Sequence, residues 1–201
     1  LGCIGILVFI VLVPRVVQVQ RNRETLADLN QIGLMLKQPT LLRLNLGIFA
    51  LHLALMAAFV VIPTLLSDQL GISGDNLWWV YLVLLGGGFV AMLPVMILGE
   101  KYQKQKLAFV AAVGCMTVAM FVLSSQQGAT LTLAMLLLFF AAFNLLEATL
   151  PSWLSKACPA GSRGTAMGIY STSQFMGAFV GGTLGGWSLQ NYGGEGVFLL
   201  V

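Results

Sequence analysis

The chain has 201 residues, of which 58% are hydrophobic and only 8% charged, whereas an ordinary soluble domain carries roughly a quarter charged residues. Mean hydropathy is +0.92. That balance excludes a water-exposed globular domain, because several unbroken apolar stretches of about 20 residues, each able to cross a bilayer core of about 30 Å, would have no place in water. A net charge of +3, with its lysines and arginines dispersed, excludes a nucleic-acid-binding patch.

Residues 1–13, LGCIGILVFIVLV, are apolar but too short to cross a bilayer alone, and no basic segment precedes them as a cleaved signal peptide requires. The expectation is the last part of a truncated membrane helix. Residues 14–40 form a polar, basic connector in which Leu26, Leu29, Ile32 and Leu36 recur at helical spacing, predicting a short amphipathic helix that lies on lipid headgroups or packs beneath the bundle. From residue 41 onward the pattern predicts a transmembrane bundle. Its spans cover about 41–66, 77–99, 107–125, 130–150 and 164–187, and a last one, itself truncated, starts at about 197. Polar breaks at 67–76, 99–106, 124–128 and 191–196 separate several of them. The spans must be helical, since lipid offers the backbone no hydrogen-bond partners.

Basic residues set the orientation. All ten fall on one side of this span map: Arg15, Arg21, Arg23, Lys37 and Arg43 before the first full span, Lys101, Lys104 and Lys106 after the second, and Lys156 and Arg163 after the fourth. The linker and the loops at 99–106 and 151–163 are therefore expected to be cytoplasmic.

Polar side chains inside spans are costly and mark candidate pathways. His52 lies about 17 Å along its span at about 1.5 Å per residue, near the bilayer middle, and Asn45, seven residues earlier, shares its face. An imidazole there can take up and release a proton; it can also be a neutral histidine bonded to a neighbouring helix. Asn144 and Glu147, with Phe140 and Phe143 close by, share a face of the fourth full span. With that span starting near Thr130, Glu147 lies about 25 Å along it, at the cytoplasmic edge, where it lines a cavity or pairs with Lys156 or Arg163. Tyr170 and Gln174 share a face of the next span, with Gln174 at the depth of His52. Ser173, Gly177, Gly181 and Gly185 recur every four residues, a small-residue ridge for close helix packing that could also slide or rock during transport.

The three cysteines, Cys3, Cys115 and Cys158, lack the spacing of a metal site and read as packing residues. No metal or cofactor is expected. No phosphate-binding glycine loop followed by Lys and Ser or Thr occurs in the sequence, so ATP-driven transport has no support in it.

The arrangement of six helices after a long basic cytoplasmic linker resembles the second half of a major facilitator transporter. The stretch from Phe143 to Trp187, FNLLEATLPSWLSKACPAGSRGTAMGIYSTSQFMGAFVGGTLGGW, is similar to the tenth and eleventh helices of the YajR-like branch. The resemblance implies an all-α membrane protein: the C-terminal six-helix bundle of a major facilitator fold, first and last helices truncated. Its implied partners are membrane lipid, an N-terminal six-helix half and a small-molecule substrate. GEKYQKQK stands where the family carries the second-half counterpart of its motif A, implying a cytoplasmic gate loop on Glu100 and Lys101, with Gln103 in place of the pattern's glycine. The motif that marks antiporters belongs to the fifth helix, outside this sequence.

The resulting expectation is a multi-pass protein of the bacterial inner membrane and a secondary transporter working by alternating access on small organic solutes, with proton-coupled efflux of the drug/proton antiport type. A non-transporting scaffold or receptor is the alternative, and would tolerate substitution of His52 and Gln174. An intramembrane enzyme finds no paired acid and nucleophile and no metal cluster, so no catalytic residue is assigned.

Overall fold

The computed structural model describes residue 11 and residues 29–72, 74–125, 128–159 and 161–200. The expected helix end at 1–13, Val11 apart, and the connector as far as residue 28, including Leu26, lie outside the described residues. Among the described residues the regular structure is helical: α1 (Leu29–Leu36), α2 (Pro39–Leu70), α3 (Leu77–Lys101), α4 (Gln105–Leu123), α5 (Ala129–Ala157) and α6 (Arg163–Leu200), with a short 3-10 turn at Gly74–Asn76. α2, α3, α4 and α5 are long and apolar enough to cross a membrane.

α2 begins on a proline, whose missing N–H and fixed φ suit the first helical turn. It ends at Gly71, whose φ of 65° and N–H bond to the Ser67 carbonyl close the last turn. Its 32 residues measure about 48 Å at about 1.5 Å per residue, so the helix tilts or projects beyond the hydrocarbon core. α5 runs seven residues past the expected end at 150, because Pro151 sits inside the helix and does not stop it. α6 is two helical stretches joined at a kink, where the non-helical Gly193 (φ 71°) redirects the chain within the expected break at 191–196. Beyond it Val197 and Phe198 are buried.

α2 packs most extensively on α6, while α5 occupies the middle, touching α3, α4 and α2. Phe139, Phe140, Leu136 and Leu154 of α5 are fully buried. Glycine governs the tightest crossings. A Cβ on Gly177 would strike the Phe49 carbonyl, one on Gly181 the Leu53 carbonyl, and one on Gly185 would sit 2.8 Å from Ala57 Cα. The expected ridge is thus a place where two main chains touch. Gly88 does the same between α3 and α5, where a Cβ would come within 2.9 Å of Phe140 Cβ.

The outward faces are apolar. Val90 on α3, Phe121 on α4, and Phe175 and Phe179 on α6 are all exposed, which suits lipid or another membrane-embedded surface and not water. α1 differs from its expected stripe: Met35 is buried and Leu36 exposed, with Ile32 between them. Contacts with α2 and α6 at the base of the bundle, and not the helix's own periodicity, decide which face is covered.

The turn from α3 to α4 carries a backbone cost. Gln103 has φ 55°, a left-handed conformation that costs a non-glycine residue about 1–2 kcal/mol. Its side-chain amide donates to the Glu100 carbonyl at 3.1 Å, which offsets part of that cost. Gln103→Gly in the full-length protein is therefore expected to raise thermal stability by about 1 kcal/mol, read as an upward midpoint shift in detergent. A downward shift would show that the amide bond outweighs the backbone cost.

Candidate functional site

Three helices meet at His52. One turn of α2 carries the Phe49 and Leu53 carbonyls into contact with α6 at Gly177 and Gly181, and His52 lies between those two positions. Gln174, one turn before Gly177, is thereby brought against it: the Gln174 amide nitrogen lies 2.8 Å from His52 Nε2. The same nitrogen donates to Glu147 Oε1 on α5 at 3.2 Å. His52 Nδ1 faces Glu147 Oε2 at 3.8 Å, an ion-pair separation too long for a hydrogen bond. The Phe143 ring stands edge-on to the imidazole, with centroids 5.7 Å apart.

The site is mostly enclosed. His52 is buried, whereas the Glu147 side chain keeps 34% of its surface exposed. Glu147 stands 18 residues from the start of α5 and ten from its end at Ala157, about 15 Å from that end. Neither Lys156 nor Arg163 pairs with it; both are exposed. Pro151 has no N–H to give to the Glu147 carbonyl four residues earlier, which weakens the helix at the functional residue.

Asn45 and Tyr170 are buried on the same two helices as His52 and Gln174, closer to the helix starts. Neither joins the cluster's hydrogen bonds: the Asn45 side-chain oxygen and the Tyr170 hydroxyl have no partner, and His52 Nδ1 and Glu147 Oε2 are likewise open. Asn144 is half-buried and makes no bond to the cluster. Ser173 bonds its own helix, donating to the Ile169 carbonyl at 3.0 Å. Glu100 and Lys101 are exposed at the end of α3, the lysine ammonium standing 5.6 Å from the Tyr102 ring. They lie away from the cluster.

Two features had no clear sequence signal. Tyr81 stacks on Phe59 at 5.7 Å, and Phe59 in turn meets Phe140; near the start of a span, a tyrosine reads only as an interfacial aromatic. Ser188 is completely buried with an unpartnered hydroxyl, although it lies at the expected end of a span. A cavity of about 500 Å³ lies on another side of α2 and is lined by residues such as Ala50, Ala54, Met116 and Leu150. It is apolar and separate from the charged cluster.

The Major Facilitator Superfamily model matches residues 1–182. The chain belongs to that superfamily. It is 44% identical over 200 residues to the inner membrane transport protein YajR of Escherichia coli (strain K12), covering 99% of this chain and 44% of that protein. It is also 34% identical over 165 residues to an uncharacterized transporter of Buchnera aphidicola subsp. Acyrthosiphon pisum, covering 80% of this chain and 41% of the relative. A mycobacterial relative, an uncharacterized MFS-type transporter of Mycobacterium tuberculosis, is 26% identical over 162 residues, covering 81% of this chain and 28% of its own length. The chain thus spans less than half the length of these relatives. As a major facilitator segment it is a multi-pass α-helical membrane protein.

A buried hydroxyl without a partner costs about 1–3 kcal/mol. Tyr170→Phe in the full-length protein is therefore expected to raise thermal stability by about 1 kcal/mol. A fall in the unfolding midpoint would mean that the hydroxyl is bonded there, by a group outside this chain or by bound water.

Proposed function

We propose that this chain forms part of a secondary active transporter in the bacterial inner membrane, moving a small organic solute by alternating access, with a proton as the coupling ion. One observation carries the reading: a single amide nitrogen lies within hydrogen-bonding range of an imidazole and a carboxylate from two other helices, inside an apolar bundle. A packing contact alone would not require an ionisable pair there, because two charges removed from water are costly unless each is paired.

The partial exposure of Glu147 gives the pair its direction. A carboxylate about 15 Å inside the helix end cannot face lipid cheaply, so its open side faces an aqueous cavity, closed from the other side by an N-terminal six-helix half. Asn45 and Tyr170 lie buried on the side of the pair expected to be cytoplasmic, as unpartnered polar groups next to it in the bundle. The negative charge of Glu147 beside Phe143 and Phe140 suits a lipophilic cation as solute, and exchange of such a cation for a proton at one carboxylate makes the process an efflux antiport. The gate role of Glu100 and Lys101 belongs to the same reading, at the cytoplasmic end of α3.

The test is flux in lipid vesicles containing the full-length protein, with lipophilic cations as starting substrates. His52→Ala and Glu147→Gln, at matched insertion, are expected to lower proton-coupled flux by about tenfold or more. Wild-type flux in both variants would remove the proton role from this pair while leaving the superfamily membership untouched.

A further inference from the structure

We propose that Gln174 is a positioning residue that sets the proton pattern of the His52–Glu147 pair and switches it by turning its amide over. The inference rests on the transport reading for its purpose, but its chemistry follows from the geometry of three side chains.

An amide nitrogen only donates. With that nitrogen 2.8 Å from His52 Nε2, the ring must present a lone pair there, so its proton is confined to Nδ1, the minor tautomer of histidine in water. The same nitrogen at 3.2 Å from Glu147 Oε1 requires an acceptor oxygen, which the ionised carboxylate supplies. Nδ1–H then points at Glu147 Oε2 across 3.8 Å. In this arrangement the pair holds one proton and a net charge of −1.

Uptake of one more proton changes every partner. A proton arriving at Nε2 turns that atom into a donor, and the facing amide can answer only by rotating to present its oxygen. The Nδ1 proton passes to Glu147 Oε2 as the gap between them closes. The ring is again neutral, now protonated on Nε2; the carboxyl is neutral; the pair has gained one proton and lost its net charge. The rotated amide oxygen now faces Glu147 Oε1, acceptor against acceptor, so the bond between α5 and α6 is lost while that between α2 and α6 survives. Proton binding thereby exchanges the bond of α5 to α6 for one to α2, in which the protonated Glu147 carboxyl donates to His52 Nδ1. Besides Glu147 from α5, Tyr170 of α6 is the titratable group near the pair; Tyr81 of α3 is held on Phe59, and the polar neighbour on α2, Asn45, does not titrate.

The test reads the imidazole directly. Full-length protein labelled with 15N-histidine in lipid bilayers is examined by nuclear magnetic resonance, the His52 signals being assigned by their loss in His52→Asn. The expected result is an Nδ1–H tautomer at alkaline pH that converts to Nε2–H on acidification, together with a protonated-carboxyl infrared band that Glu147→Gln removes. Gln174→Met, which offers no donor, should abolish the Nδ1–H preference. An Nε2–H ring at every pH in the wild type, or an unchanged Nδ1–H preference in Gln174→Met, would overturn the proposal. The signals need no substrate or gradient, so loss of the switch and absence of flux are separable outcomes.

Discussion

The crossing of α6 over α2, where the carbonyls of Phe49 and Leu53 press against Gly177 and Gly181, is the contact on which the site depends. Any side chain at those glycines would hold the helices apart. With the main chains touching, residues flanking the contact are brought within bonding distance: Gln174, one turn before Gly177, reaches His52, which lies between the two carbonyls. Membrane helices gain little from apolar burial against one another, since lipid is as apolar as their side chains. Close packing and polar bonds hold them together, and here both occur at one crossing.

α5 contributes the charge. Glu147 would be expensive in the bundle without donors, and it meets Gln174 by a hydrogen bond and His52 across an ion-pair distance. Its helix is weakened one turn further on, where Pro151 leaves the Glu147 carbonyl without its helical partner. The carboxylate thus sits where α5 bends most readily and where its tie to α6 depends on a single amide. α2 and α6 share a long seam, whereas α5 meets α6 over a smaller area. In the proposed switch, a change in the proton count of the pair acts on the weaker of the two connections.

The helical, membrane-spanning character of the chain was legible because it follows from composition and run length, which no tertiary contact can override in lipid. His52, Gln174 and Glu147 were legible as candidates for the same reason: each is a polar residue where hydrocarbon penalises it. Their convergence was not legible. For Glu147 the sequence offered a cavity or a pairing with Lys156 or Arg163, and only the packing of α5 against α2 and α6 turns it to His52 and Gln174 instead. Asn144 satisfied the same periodicity yet stays out of the cluster, since spacing gives a face but not the rotation of that face toward a partner. The glycine ridge was visible as a four-residue repeat. Its partner surface, the carbonyls of Phe49 and Leu53, is main chain and has no sequence signature.

The account is tested most directly by comparing Gly181→Ala with Gly182→Ala in the full-length protein. A methyl group at 181 strikes the Leu53 carbonyl, whereas one at 182 meets nothing within 4 Å. The neighbouring substitution therefore controls for helix propensity and handling. With both variants inserted equally into vesicles, Gly181→Ala is predicted to lower proton-coupled flux by roughly tenfold or more through misplacement of Gln174 and His52, and Gly182→Ala to leave it near the wild-type value. Equal flux in the two would contradict the claim that the α2–α6 contact positions the site.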